Sequence, residues 1–327
     1  MRKIALLSLL LFSVSAWAAN DRHIEYPTYS AHANGLSIAY QDFGDPKNET
    51  VLLIMGLGAQ LIHWNDEFVL SLVNEGFRVI RFDNRDAGWS QYLSEEATPG
   101  MVTLLRYKLG ISLGAPYKLD DMAADAMGLL DQLNIKQAHI VGASMGGMIA
   151  QIVAADYPAR TLSLTSIMST SGAAHLPQSE LDVGPRDRSE MSRAEILDGS
   201  IAVIRSLVGS ATQLSDEEIR TSQARGYDRA RNDAGFSRQL WAIMDSGDRV
   251  EKLQTITAPT LVVHGKDDRL IPYQGGEHTA ELIPNSKLLL LDGMGHYMGP
   301  SDSQPIVDAM MRLIKNDAGL AQNGAAR

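Results

Sequence analysis

A chain of 327 residues, 45% of them hydrophobic, is long enough to bury one large core or a core carrying an insertion. Its 39 acidic against 29 basic side chains leave a net charge of −10, which excludes the basic face that a nucleic-acid partner requires. It holds no cysteine, which excludes disulfides, thiol catalysis, cysteine metal sites and a lipid-modified cysteine.

The chain starts as an export signal does. Arg2 and Lys3 precede an apolar core from Ile4 to Val14, and Ala16-Trp17-Ala18 matches a small-x-small cleavage site. That core is too short to anchor in a bilayer, so residues 1–18 are expected to be removed, leaving a periplasmic or secreted protein. No apolar run of about 18 residues follows, so the mature chain is expected to have no membrane span.

After a polar lead-in, Leu36 to Asp42 alternates as a strand does, and Gly44 to Asn48 is a turn. Val51 to Ile54 is a continuous apolar run, the pattern of a strand buried on both faces; it ends in Met55-Gly56-Leu57-Gly58. A helix is expected from about Asp66 to Glu75, with Gly76 as its stop. Phe77 to Phe82 is a second buried strand, running into the polar turn Asp83 to Ser90. The stretch from about Ser94 to Pro116 has no readable period. From Leu119 the set Met122, Ala126, Leu129, Leu130 and Leu133 recurs at helical spacing, with Asp120 as candidate N-cap.

Next, Ile140 and Val141 stop at Gly142, Ser144 follows, and after Gly146 and Gly147 a helical apolar pattern begins. Read as strand, sharp turn and helix, this is the G-x-S-x-G corner that exposes a serine hydroxyl above a helix N-terminus. Thr161 to Met168 is another strand. Residues 172–240 change character: they are charged, rich in arginine and serine, helical around 192–207 and 216–230, and lack a buried strand. They read as a helical insertion that divides the core into 19–171 and 241–316. Pro259 to His264 and Lys287 to Leu291 restore the strand pattern, a helix over about Gln304 to Lys315 closes it, and the tail 317–327 is expected to be disordered. Strands alternating with helices give an α/β fold with a mostly parallel sheet flanked by helices.

A serine hydroxyl is a weak nucleophile until a base takes its proton, and the base needs an acid to orient it. Around such a corner the partners follow in the order Ser, acid, His, after later strands. The turn Gly265-Lys266-Asp267-Asp268 offers two carboxylates, and the glycine-rich turn Asp292-Gly-Met-Gly-His296 offers an imidazole. An oxyanion would be met by the Met145 amide and by one from the loop after Val51–Ile54, with Leu57 the natural donor. His139 and His264 border strands and read as structural, whereas His23, His32, His63, His175 and His278 read as surface residues. Gly56-x-Gly58 with Asp83 faintly imitates a dinucleotide fingerprint, but Leu61 stands where its third glycine belongs.

These stations together resemble the α/β-hydrolase fold superfamily over nearly the whole mature chain, and more narrowly the bacterial carboxylesterase-type hydrolases grouped with aclacinomycin methylesterase. The resemblance implies an eight-stranded-type sheet with a helical cap after the sixth strand, matching 172–240. It implies an acid three residues past Gly265, which selects Asp268 over Asp267. It further implies a catalytic set of Ser144, Asp268 and His296, with Leu57 and Met145 as backbone oxyanion donors, no cofactor and no metal. Met55 departs from the histidine that many relatives carry there. The expected reaction is hydrolysis of small carboxylic esters (EC 3.1.1.-) through an acyl-enzyme. The same triad also serves lactones, amides, carbon–carbon bonds or perhydrolysis, and a non-catalytic binding protein on this fold is the remaining alternative.

Overall fold

A strand buried on both faces needs an apolar layer above and below it, and this chain supplies both. The computed structural model describes residues 25–94, 114–181, 188 and 190–315. The segment 1–18 read as an export signal and the tail 317–327 lie outside the described residues. The strands are β1 (Tyr29–Ala33), β2 (Leu36–Phe43), β3 (Thr50–Ile54), β4 (Arg78–Phe82), β5 (Ala138–Ala143), β6 (Thr161–Ile167), β7 (Thr260–Gly265) and β8 (Lys287–Leu291). They form one eight-stranded sheet in the order β1-β2-β4-β3-β5-β6-β7-β8. The first two strands are antiparallel to their neighbours, and the rest run parallel from β4 to β8.

The helices are α1 (Asp66–Asn74), α2 (Leu119–Gln132), α3 (Met145–Asp156), α4 (Arg193–Leu207), α5 (Asp216–Arg229), α6 (Asp233–Ser246), α7 (Val250–Gln254), α8 (Gln274–Leu282) and α9 (Pro300–Ile314). Successive residues of a strand point to opposite faces. Leu52, Ile54, Ile80, Phe82 and Ile140 accordingly pack with Met122, Ala126, Leu130, Ile149 and Val153 of α2 and α3. Val51, Leu53, Val79, Val141 and Val263 pack on the other face with Phe68 and Leu72 of α1 and with Ile306, Val307 and Met310 of α9.

The structure adds to or shifts the sequence reading at four places. The lead-in at 29–33 forms β1, joined to β2 through Asn34 and Gly35, both at positive φ, the Asn-Gly signature of a tight hairpin. Strand β8 is only half-buried, because it is the edge of the sheet. The closing helix begins at Pro300 rather than near Gln304. The insertion boundary at 240 falls inside α6, which runs to Ser246; its buried side mixes Arg238 and Gln239 with Trp241 and Ala242, so no apolar period marks it.

The polar turn after β4 lies inside the protein: Asp83 to Ser90 is buried except for Trp89. Asp83 accepts from the amides of Leu61 (2.7 Å) and Trp89 (2.9 Å) and from Arg229 of α5 (2.7 Å). Asp83 is 0% exposed and turns both oxygens inward, so it presents neither to a ribose. Asn84 donates to the Met55 carbonyl at 2.8 Å, and Arg85 is paired with Asp125 of α2 at 2.6 Å. Asp86 takes Arg238 of α6 on both oxygens (2.7 and 2.8 Å) and the Tyr117 hydroxyl at 2.8 Å. Burial and the Asp86 carboxylate push Tyr117 well above the usual phenol range, so it remains a donor. Buried charges persist only when paired and hydrogen-bonded. The consequence is a polar junction that fixes α5 and α6 on the loops after β3 and β4.

Candidate active site

The corner between β5 and α3 holds Ser144 at φ 57° and ψ −122°, a conformation that side chains rarely adopt. Its surroundings enforce it. The Ser144 amide donates to the Ile167 carbonyl of β6 at 2.9 Å. Its own carbonyl accepts from the amides of Gly147 (2.9 Å) and Met148 (3.2 Å) and from the Ser169 hydroxyl (2.9 Å). A side chain on Gly146 would put its Cβ 2.0 Å from the Ile54 carbonyl oxygen, and one on Gly142 would lie 2.0 Å from the Gly146 oxygen. Both obstacles are backbone. Gly146→Ala is therefore expected to destabilise the protein by about 3 kcal/mol or more, read as a fall in the thermal unfolding midpoint; a midpoint equal to the parent's would show that the corner can widen.

Asp268 follows β7 and His296 follows β8, and the parallel order brings both ends to Ser144. His296 Nε2 lies 2.9 Å from Ser144 Oγ, and His296 Nδ1 lies 2.7 Å from Asp268 Oδ2. Asp268 Oδ1 also accepts from the amides of Leu270 and Ile271, each at 2.9 Å. Burial opposes ionisation of Asp268, but hydrogen bonds from His264 and His296 outweigh it and hold its carboxyl down at about 2. An ionised acid has no proton to give, so Nδ1 carries the hydrogen, and in the neutral ring that leaves Nε2 facing Ser144 as an acceptor. The neighbouring Asp267 points elsewhere and accepts from the Ser210 amide (2.9 Å) and hydroxyl.

The loop after β3 passes beside the serine: a Cβ built on Gly56 would stand 3.1 Å from Ser144 Cβ. Among the described residues, the amides of Leu57 and Met145 have no hydrogen-bond partner. Met145 opens α3, so its amide is one of the unpaired donors of a helix N-terminus. A cavity of about 400 Å³ lined by Lys266, Asp267, Asp268, Arg269 and Tyr273 reaches the acid but does not include Ser144. Among the described residues, no group of three or more His, Asp or Glu is arranged to hold a metal ion.

The other histidines divide. His139 lies at the start of β5, bonded to Ser163 (2.8 Å) and near Glu49 (3.4 Å). His264 is fully buried; its Nε2 sits 2.8 Å from the Ile271 carbonyl and 3.2 Å from Asp268 Oδ2, so it backs the acid. The four-residue interval from a strand end to a carboxylate was the available signal for that contact. His63 and His278 are not surface groups as the sequence suggests. His63 Nδ1 meets the Gln60 amide at 2.9 Å, and burial keeps its ring below the usual imidazole range. His278 is half-buried against Ser171 at 2.8 Å. His32 and His175 are exposed, and His23 lies outside the described residues.

A family model described as the alpha/beta hydrolase fold matches residues 49–301. Rhodomycin D methylesterase of Streptomyces peucetius is 27% identical over 311 residues, covering 87% of this chain and 97% of the relative. The solved enol-lactonase of Burkholderia xenovorans superposes with a TM-score of 0.68 at 21% identity, covering 88% of this chain and 100% of the other. A meta-cleavage product hydrolase of Pseudomonas fluorescens gives a TM-score of 0.68 at 19% identity, covering 88% and 97%. At these identities the two structures bear on the fold alone.

Proposed function

The chain belongs to the α/β-hydrolase fold family, and from that premise we propose that it is a serine hydrolase cleaving carboxylic esters of small molecules. The observation that carries this reading is the unbroken line of hydrogen bonds from Asp268 through His296 to Ser144. Ser144 Oγ attacks the ester carbonyl while His296 Nε2 takes its proton, and Asp268 holds the ring and stabilises its charged form. The Leu57 and Met145 amides receive the oxyanion. Collapse expels the alcohol, which takes the proton back from His296, and leaves an acyl group on Ser144. A water then gives its proton to His296 and attacks the acyl carbon; the acid departs and Ser144 is restored. Every step uses groups of this chain and water.

The methylesterase relative supports an ester substrate. The test is fluorophosphonate labelling with mass mapping of the modified residue, alongside turnover of a short-chain p-nitrophenyl ester panel. Labelling at Ser144 with ester turnover is expected; a folded sample that neither labels nor turns over any ester refutes the reading. Lactone and amide competitors in the same preparation set the acyl class. Helices α4 to α6 serve in this reading as the cap over the acyl site.

Residues 1–18 are proposed to direct export. In a Gram-negative host expressing the full chain, the protein is expected in the periplasm or medium, its N-terminus beginning after Ala18. An intact N-terminus in the cytoplasmic fraction would overturn this.

A further inference from the structure

The loop that carries Leu57 past Ser144 is held at two points. At one end Asn84 donates to the Met55 carbonyl at 2.8 Å. At the other, the Gly58 amide donates to Gln239 Oε1 at 2.8 Å, and Gln239 is a residue of α6 in the insertion. Gln239 is 0% exposed, and its Nε2 donates to the Arg85 carbonyl at 2.7 Å. Its amide is thus satisfied at both ends and ties together the loops after β3 and β4. The same helix presses the Phe236 ring on Gly58, where φ is +67° and a Cβ would stand 2.6 Å from the ring. The Leu57 amide lies between the two anchors with no partner of its own among the described residues.

A backbone donor stabilises an oxyanion only if it is aimed before charge develops. We propose that Gln239 is the positioning residue that aims the Leu57 amide, so that oxyanion stabilisation depends on α6 being docked on the core. This rests on the serine-hydrolase reading above. Gln239 touches no reacting atom in this scheme; it acts through the Gly58 amide and the peptide before it.

Two substitutions separate this role from general packing. Gln239→Met keeps the length of the side chain and removes both hydrogen bonds. Gln239→Glu restores both only when its carboxyl is neutral, accepting from Gly58 and donating to the Arg85 carbonyl; burial favours that neutral form. With a p-nitrophenyl ester, Gln239→Met is expected to lower kcat by roughly 10- to 100-fold, short of the full loss of an oxyanion donor. KM should change little, and fluorophosphonate labelling of Ser144 should slow in parallel. The kcat of Gln239→Glu relative to the parent is expected to rise as pH falls, a signature that lost packing would not give. If Gln239→Met does not fold, Phe236→Leu is the second variant, with a smaller fall in kcat expected. Parental kcat in the folded variant, or a Gln239→Glu ratio independent of pH, overturns the proposal. A parent that neither labels nor turns over ester fails earlier, and then the serine-hydrolase reading is what has been lost.

Discussion

Replacing Ser144 with alanine is expected to leave a folded protein whose ester turnover is lower by about 10⁴- to 10⁶-fold, equivalent to about 5–8 kcal/mol of transition-state stabilisation. The fold should survive because the corner is held through backbone groups. The bonds from Gly147, Met148 and Ser169 reach the Ser144 carbonyl, and the bond to Ile167 leaves the Ser144 amide. Among the described residues, the hydroxyl itself has His296 as its hydrogen-bond partner. On the proposed mechanism, removing it deletes the nucleophile and little else. His296→Ala should cost a similar factor, since base and nucleophile act as a unit and their losses do not add. Initial rates on p-nitrophenyl esters, with circular dichroism as the folding control, decide the matter. Equal turnover by Ser144→Ala and parent would remove the basis of the mechanism.

Asp268→Asn is expected to lower kcat by about 10⁴-fold, whereas Asp267→Asn should stay within about tenfold of the parent. An asparagine keeps the shape of the acid, and its oxygen still accepts from the amides of Leu270 and Ile271. Its NH₂ then faces His296 Nδ1, so the ring must carry its hydrogen on Nε2, aimed at Ser144 instead of ready to receive a proton. Asp267 instead binds Ser210 and makes no contact with the imidazole. With its carboxyl held down at about 2, Asp268 is ionised throughout the range in which esterases are assayed. The sign follows from that depression: the stability it contributes is present above the ordinary carboxylate pKa and is lost as pH falls through about 2. A kcat for Asp268→Asn close to the parent's would mean that another group orients the ring.

Much of the site was legible because its parts are local. Gly142-x-Ser144-x-Gly146 lies between an apolar run and a helical one, and Asp268 and His296 each follow a strand by a few residues. Choosing between Asp267 and Asp268 took a family resemblance, since adjacent carboxylates in one turn carry no periodicity to tell them apart. The burial of the polar turn after β4 was not legible, for a different reason. Asp83 and Asp86 look like solvated acids, and their partners Arg229 and Arg238 stand about 150 positions later. Gln239 was invisible on the same ground, because a buried amide among polar neighbours breaks the apolar stripe by which a helix face is recognised. β1 was missed because its residues are mostly exposed, although Asn34-Gly35 marked the hairpin.

The junction under α5 and α6 also restricts how such a protein diversifies. Foreign helices grafted between β6 and β7 would have to import two guanidinium groups at matching heights, or leave Asp83 and Asp86 stranded in a dry interior. Each stranded carboxylate costs about 3–5 kcal/mol, and two would approach the whole margin by which a domain stays folded. New substrate preferences are then reached most cheaply by changing residues on the existing helices, while wholesale transplants require the 83–86 segment to be rewritten in the same step.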